Sequence, residues 1–365
     1  MNKQIRRLLL ILPLLILPGI ASAAVIFEDN FDTQANWTIN PNSMTDKTDG
    51  SSGTCYTPAA ACATPPPTNW TGWRVEGPVS QTLHNTLTID ATNKRGASGK
   101  GLTIWIQANS PSASAWTSDS LLVKNLGADY NELYIRYWQQ FSPSWQWWSG
   151  AQSPEEKFFR VTHYWDKRTD DPYNVMSQMH PMMLFQMAKW AGGTSNASAM
   201  PEFRYETTYY PTEATPPGVD NAAVYYGTGN YSGTGPEWNT ANLPGDGQWH
   251  RWDFHVKLNS APGVADGIFE IFIDGGDTRG NVGTPFYRKT DLAWSDQGSA
   301  NSPRKGWNMI IMGGNAYNFY SAYAEQWYAF DDVVVSTTPI PDNYVIGGGS
   351  SDRVAPAAPS GLSVK

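Results

Sequence analysis

Apolar and polar residues alternate along much of this chain, most clearly between Trp249 and Gly275. Trp252, Phe254, Val256 and Leu258 share one parity, while Arg251, Asp253, His255 and Lys257 share the other. After a break rich in Gly, Pro, Asn and Asp, Phe269, Ile271 and Ile273 alternate with Ile268, Glu270, Phe272 and Asp274. Two such runs about a turn-forming break predict an antiparallel hairpin with one buried face. A hairpin is marginal alone in water, so the pattern also demands a second sheet to cover that face.

Further runs read as strands in the same way. They begin with a strand and turn over Val25 to Trp37 (VIFEDNFDTQANW) and continue at Leu83 to Asp90, Lys100 to Gln107, Ser118 to Asn125 and Glu132 to Phe141. In EEKFFRVTHYW, strict alternation sets Lys157, Phe159, Val161 and His163 against Phe158, Arg160 and Thr162. Met182 to Lys189, Glu202 to Tyr210, Trp307 to Gly313 and Gln326 to Ser336 complete the set. A weak helical period near Met176 to Trp190 is the exception. Pro41 to Thr71 reads as a long surface excursion, and Pro211 to Gly247 as a long aromatic-bearing loop of the kind that is usually functional or disordered.

Composition supports an all-β class. The 17 Trp, 18 Tyr and 13 Phe favour strands, and the 33 Gly and 26 Pro punctuate turns. Lys3, Arg6 and Arg7, then an apolar run from Leu8 to Ile16, then Ala21-Ser22-Ala23 predict a cleaved secretory signal over residues 1–23. The apolar run falls short of the ~20 residues a membrane span needs, so a secreted or periplasmic location is expected, with no membrane contact after cleavage. The chain has 25 Lys+Arg against 33 Asp+Glu, and losing the signal makes it more acidic still. That excludes the basic footprint of a nucleic-acid binder. Cys55 and Cys62, in an exported chain, predict a small disulfide loop. One sandwich domain is expected over 24–338 and a Pro/Gly/Ser-rich linker over 339–365, where the closing APAAPSGLSVK looks like the opening strand of a fibronectin type III module. Further modules beyond that linker and a monomeric state are the corresponding expectations.

About a dozen short strands point to an antiparallel two-sheet jelly roll. FEDNFD, ELYIRYWQQFSPSWQW followed by EEKFFRV, GQWHRWDFHVKLN followed by DGIFEIFIDG, and YAFDDVVVS together resemble concanavalin A-like lectin/glucanase proteins. Within them the chain looks most like the jelly-roll polysaccharide lyases that act on uronate polymers such as alginate, glucuronan or heparin. The resemblance spans roughly Val25 to Ser336, although the RxEVR, QIH and YFKAGxY strings of the best-known alginate lyase branch are absent. It implies a jelly-roll fold, a polysaccharide partner and β-elimination without a catalytic cofactor.

β-Elimination beside a uronate needs a cation or amide to neutralise the carboxylate, together with a base and an acid. Arg136, Gln140, Arg160, His163, Arg204, Tyr209, His255 and Lys257 are candidates, each with a structural role as its alternative. Arg136 in particular could stack on its aromatic neighbours Tyr134 and Trp138. Trp138, Trp145, Trp147, Trp148, Tyr226 and Trp238 are candidates for sugar contact, or else core and loop clamps. Glu28, Asp29, Asp331 and Asp332, near the two ends of the sandwich, could hold a structural calcium or be turn caps and solvated acids. A non-catalytic lectin-like module is the rival reading. A glycoside hydrolase ranks below both, because no ExDxE or ExDxxE carboxylate string is present.

Overall fold

A computed structural model describes residues 25–39, 52–56, 64–76, 86–106, 118–143, 145, 155–163, 182–189, 198–206, 224–226, 238–239, 247–261, 264–275, 283–285, 287–292, 306–317 and 326–348. The strands are β1 (Val25–Asp29), β2 (Trp37–Ile39), β3 (Ser52–Tyr56), β4 (Gly72–Glu76), β5 (Thr86–Asp90), β6 (Gly101–Ile106), β7 (Ser118–Tyr130), β8 (Glu132–Phe141) and β9 (Glu155–Thr162). They continue with β10 (Met182–Lys189), β11 (Ser198–Glu206), β12 (Val224–Tyr226), β13 (Trp238–Asn239), β14 (Trp249–Lys257), β15 (Gly267–Ile273), β16 (Tyr287–Leu292), β17 (Trp307–Tyr317) and β18 (Gln326–Ser336).

These strands form two antiparallel nine-stranded sheets. Sheet A runs β16-β15-β14-β8-β18-β6-β5-β2, with β1 also on β18. Sheet B runs β12-β11-β10-β9-β17-β7-β4-β3, with β13 also on β11. Neighbours distant in sequence, such as β8 between β14 and β18, make this a jelly-roll sandwich. The expected hairpin is β14–β15, with Trp252 opposite Ile273 and Val256 opposite Phe269. Its apolar parity is buried, as the alternation requires.

The core is aromatic and joins the two sheets directly. Tyr137 of β8 meets Phe159 of β9 edge-on at 5.1 Å, Phe185 of β10 lies 4.7 Å from Trp252 of β14, and Phe158 lies 4.9 Å from Tyr328 of β18. Gly313 sits where the layers press closest. Its φ is +85°, and a Cβ there would fall 2.5 Å from Ile104 Cδ1 of the opposite sheet. A side chain at this position would strain the backbone and collide at once.

Several expectations are corrected. Residues 182–189 of the weakly helical stretch form β10, because both edges are laddered to β9 and β11 and the period-two set Met183 and Phe185 is buried. The presumed surface excursion at 41–71 contains β3, paired to β4 at the edge of sheet B. Residues 339–348, read as linker, fold back onto the outer face of sheet A, where Ile346 is buried and the Tyr344 hydroxyl donates to Glu28 at 2.5 Å. The signal segment and the fibronectin-like ending lie outside the described residues. Among the described residues no helix is long and apolar enough to cross a membrane.

Candidate functional site

A strand's in-out alternation gives each sheet an outer face, and the two differ in chemistry. On sheet B, Arg74 lies between the core residues Trp73 and Val75, and Arg160 lies between Phe159 and Val161, so both point away from the core. Lys157 joins them because β9 carries a bulge. Phe185 pairs with Phe159 and the next residue, Gln186, pairs with Lys157, leaving Phe158 as the extra residue. Phe158 and Phe159 therefore both enter the core, and Lys157 turns to the same side as Arg160. This corrects the strict alternation read from the sequence. The signal was two adjacent phenylalanines where one apolar position was due.

Arg74, Lys157 and Arg160 are all buried, beside the outward-facing apolar residues Leu121, Val123, Leu184, Met309 and Ile311. The backbone register sets Arg204 opposite Leu184, and Leu184 opposite Arg160. At 4.7–4.9 Å per strand, Arg204 and Arg160 stand about 10 Å apart across the sheet. Arg74 is three strands from Arg160 in the other direction and two residues further along the strand, about 16 Å away by the same spacing.

The outer face of sheet A is a matched charge network instead. His255 of β14 lies between two carboxylates, with Nδ1 2.8 Å from Glu270 and Nε2 2.8 Å from Glu132. Its ring stacks on Tyr134 at 4.3 Å. Hydrogen bonding from His255 holds Glu270 below its ordinary value. Burial pushes Glu132 up, but hydrogen bonds from His255 and Tyr134 outweigh it and leave that carboxyl lowered. Burial and the bond to Glu132 raise the Tyr134 hydroxyl.

Arg136 sits at the centre of this face. Its Nε donates to Asp253 at 2.5 Å, Nη1 to the Pro341 carbonyl at 2.6 Å and Nη2 to the Ile340 carbonyl at 3.1 Å. Burial, opposed by Asp253, pulls the guanidinium below its ordinary value. Asp253 also accepts from Arg251 Nε at 2.7 Å, and Arg251 Nη2 donates to Asp342 at 2.8 Å. The residues beyond β18 are thus clamped across sheet A as a strap.

The proposed catalytic residues do not form one cluster. Arg136, Gln140, His255 and Lys257 belong to sheet A, whereas His163 and Arg204 belong to sheet B. Arg136 is committed to Asp253 and the strap, and Gln140 donates to the Gly247 carbonyl at 2.5 Å. Lys257 lies in register with Glu132. His163 is buried at the end of β9, where Nδ1 lies 2.8 Å from the Gly306 carbonyl and 3.3 Å from Asp129. Because a carbonyl can only accept, that nitrogen carries the proton. Tyr209, Trp147 and Trp148 lie outside the described residues, and Arg204, Tyr226 and Trp238 are described as backbone only.

The sugar-platform expectation is corrected for Trp145, which is in the core against Phe141 at 5.0 Å and Tyr328 at 6.0 Å. Trp138 is on sheet A's outer face with the Arg95 guanidinium 3.9 Å above its ring. Cys55 is on β3, while Cys62, and with it the expected disulfide, lies outside the described residues.

Glu28, Asp29, Asp331 and Asp332 are on paired strands as expected, with Glu28 opposite Val334 and Asp29 opposite Val333. They do not converge, because each carboxylate has protein donors of its own. Asp29 is buried and accepts from Trp70, Gln34 and the Phe31 amide at 2.7 Å each. Glu28 accepts from Tyr344, Asp331 from the amides of Arg95 and Asp332, and Asp332 pairs with the Arg95 guanidinium. A bulge lies between Asp331 and Val334, with Asp332 at φ +49°, and both acids are held by Arg95, one by its amide and the other by its guanidinium. Burial raises Asp331 well above its ordinary value. Among the described residues no group of three or more His, Cys, Asp or Glu could hold a metal ion.

The fold and these two faces define an antiparallel jelly-roll sandwich with a strap across sheet A and three buried cations on the side of sheet B away from the core. No protein-family model and no curated protein matches the chain. Among solved structures it is similar to an endo-β-1,4-glucuronan lyase from the fungus Trichoderma reesei, at 14% identity and a TM-score of 0.43 over 70% of this chain and 89% of that one. It is similar to alginate lyase Aly36B at 15% identity and a TM-score of 0.41, over 68% of this chain and 86% of that one. A Bacteroides ovatus mixed-linkage glucan GH16 protein in complex with product is similar at 12% identity and a TM-score of 0.42, over 85% of this chain and all of that one (100%).

Proposed function

We propose that this protein is exported and cleaves an acidic, uronate-containing polysaccharide by β-elimination on the outer face of sheet B. The observation that carries the reading is the set of three buried cations, Arg74, Lys157 and Arg160, on one face of a chain whose net charge is −8. A cation in low-dielectric surroundings stabilises a developing anion far better than one in water. Arg160, in the middle of that face, is assigned to the uronate carboxylate, whose neutralisation lowers the barrier to proton abstraction at C5. Of the remaining candidates, Arg204 has its register position on this face. The strapped face of sheet A takes no part in the elimination.

The test is incubation of purified protein with alginate, glucuronan, heparin and neutral glucans. Unsaturated-uronate absorbance from an acidic polymer is expected, and Arg160→Ala abolishes it without unfolding the protein. Reducing sugar without that absorbance would establish a hydrolase, and retention on glycan without turnover a lectin. Full activity in Arg160→Ala would remove the sheet B assignment.

A further inference from the structure

The strap over sheet A lies in a groove wider than itself. Cavities of about 300 and 360 Å³ flank residues 337–348, and Arg136, Arg251 and Asp342 wall both. Protein interiors normally close such space, so the two cavities are halves of one groove with the strap as a partial filling.

The charges in that groove are unequal without the strap. Arg136 and Arg251 have side chains only 7% and 13% exposed, and Asp253 is the sheet carboxylate that contacts both. One carboxylate against two guanidiniums leaves one positive charge over. The neighbouring charged groups have partners of their own: Arg95 pairs with Asp332, Glu270 with Arg288 and His255, Glu132 with His255, and Asp274 with His250 and the Arg251 amide. The strap supplies the missing anion. Asp342 reaches in from an 81% exposed position to Arg251 at 2.8 Å, with Arg136 Nη2 at 3.9 Å, while the Ile340 and Pro341 carbonyls take two more Arg136 donors.

We propose that Arg136 and Arg251 form a carboxylate-binding site, occupied in cis by Asp342 and open to the uronate groups of an acidic oligosaccharide entering the groove. The choice of uronate rests on the proposed function, whereas the carboxylate chemistry stands on the arginine pair. Asp342 is an intramolecular competitor, tethered at an effective concentration of order millimolar. Removing it should therefore expose the site to ligands in solution.

The experiment titrates glucuronate, with glucose as the neutral control, into the full chain by calorimetry. Wild type, Asp342→Ala and Asp342→Ala/Arg251→Gln are compared, so any site on sheet B contributes equally to all three. Asp342→Ala is expected to bind glucuronate about tenfold more tightly than wild type, the scale of one charge-assisted hydrogen bond. The double variant loses the gain, and glucose is unaffected throughout. Equal affinity in wild type and Asp342→Ala, or a gain that survives Arg251→Gln, overturns the proposal. Should the double variant fail to fold, hydrogen exchange of residues 338–348 in wild type decides instead: glucuronate accelerates it if the strap is displaced, and unchanged exchange refutes the site. Turnover of acidic polysaccharide by wild type is assayed alongside. Its absence would overturn the proposed function and leave the glucuronate titration to judge the arginine pair.

Discussion

The two outer faces of this sandwich are built by the same alternation and put to opposite uses. On sheet A nearly every charge has its complement within hydrogen-bond reach, and a segment more than two hundred residues away from Arg136 closes over it. On sheet B three cations are buried among aliphatic side chains, on a face to which the register also assigns Arg204. A balanced network on a protein surface mainly fixes geometry, since ion pairs there contribute little energy each. Several cations carried on one face favour the approach of an anion.

The largest effect that would separate the faces is chemical. Arg160→Ala should lower turnover on a uronate polymer by about a thousandfold, the upper range for losing one anion-stabilising donor. Arg160→Lys should recover part of that, because the charge returns without the planar fork. Equal losses from Arg160→Ala and Arg136→Ala, per folded molecule, would erase the distinction drawn here.

Next comes stability. Arg136→Ala strips Asp253 of one partner and frees two strap carbonyls, so it should destabilise the fold by about 3 kcal/mol, in the range for breaking a buried pair. Denaturant unfolding measures this, with local loosening of residues 338–348 visible in hydrogen exchange. A midpoint unchanged from wild type would show that the clamp is ornamental.

A smaller effect concerns pH. Glu270 and Glu132 are held below their ordinary value of 4.5 in the folded state. Their contribution is therefore fully present above that value and is lost as pH falls through the depressed native value. Both are partly exposed and screened, so the contribution should be under about 1 kcal/mol. Stability curves for wild type and Glu270→Gln between neutral and acid pH should converge at the acid end, and parallel curves would contradict the assignment. The smallest effect expected is that of Trp138→Ala, which removes the Arg95 stacking contact worth about 0.5–1 kcal/mol. Thermal unfolding would detect it, and a loss several times larger would mean that the indole also anchors the strap.

Much of the fold was legible in the chain because alternation is a local property. Trp252, Phe254 and Val256 against Phe269, Ile271 and Ile273 fixed a buried face and a hairpin without reference to anything distant. Gln326–Ser336 read as a strand for the same reason. The candidate site was much less legible. Arg136 and His163 are both catalytic candidates in the sequence, yet they lie with different sheets, because β8 is laddered to β14 and β18 and β9 to β10 and β17.

Residue pattern by itself thus determined the class and the in-out sense of the β14–β15 hairpin, since each depends on neighbours one or two positions apart. Tertiary structure alone decided that Lys157 turns outward with Arg160, that Trp145 is core, and that residues 337–348 cover sheet A rather than leave it. Those outcomes depend on register, on a one-residue bulge and on a contact between Arg136 and a carbonyl at Pro341, and no local period encodes any of them.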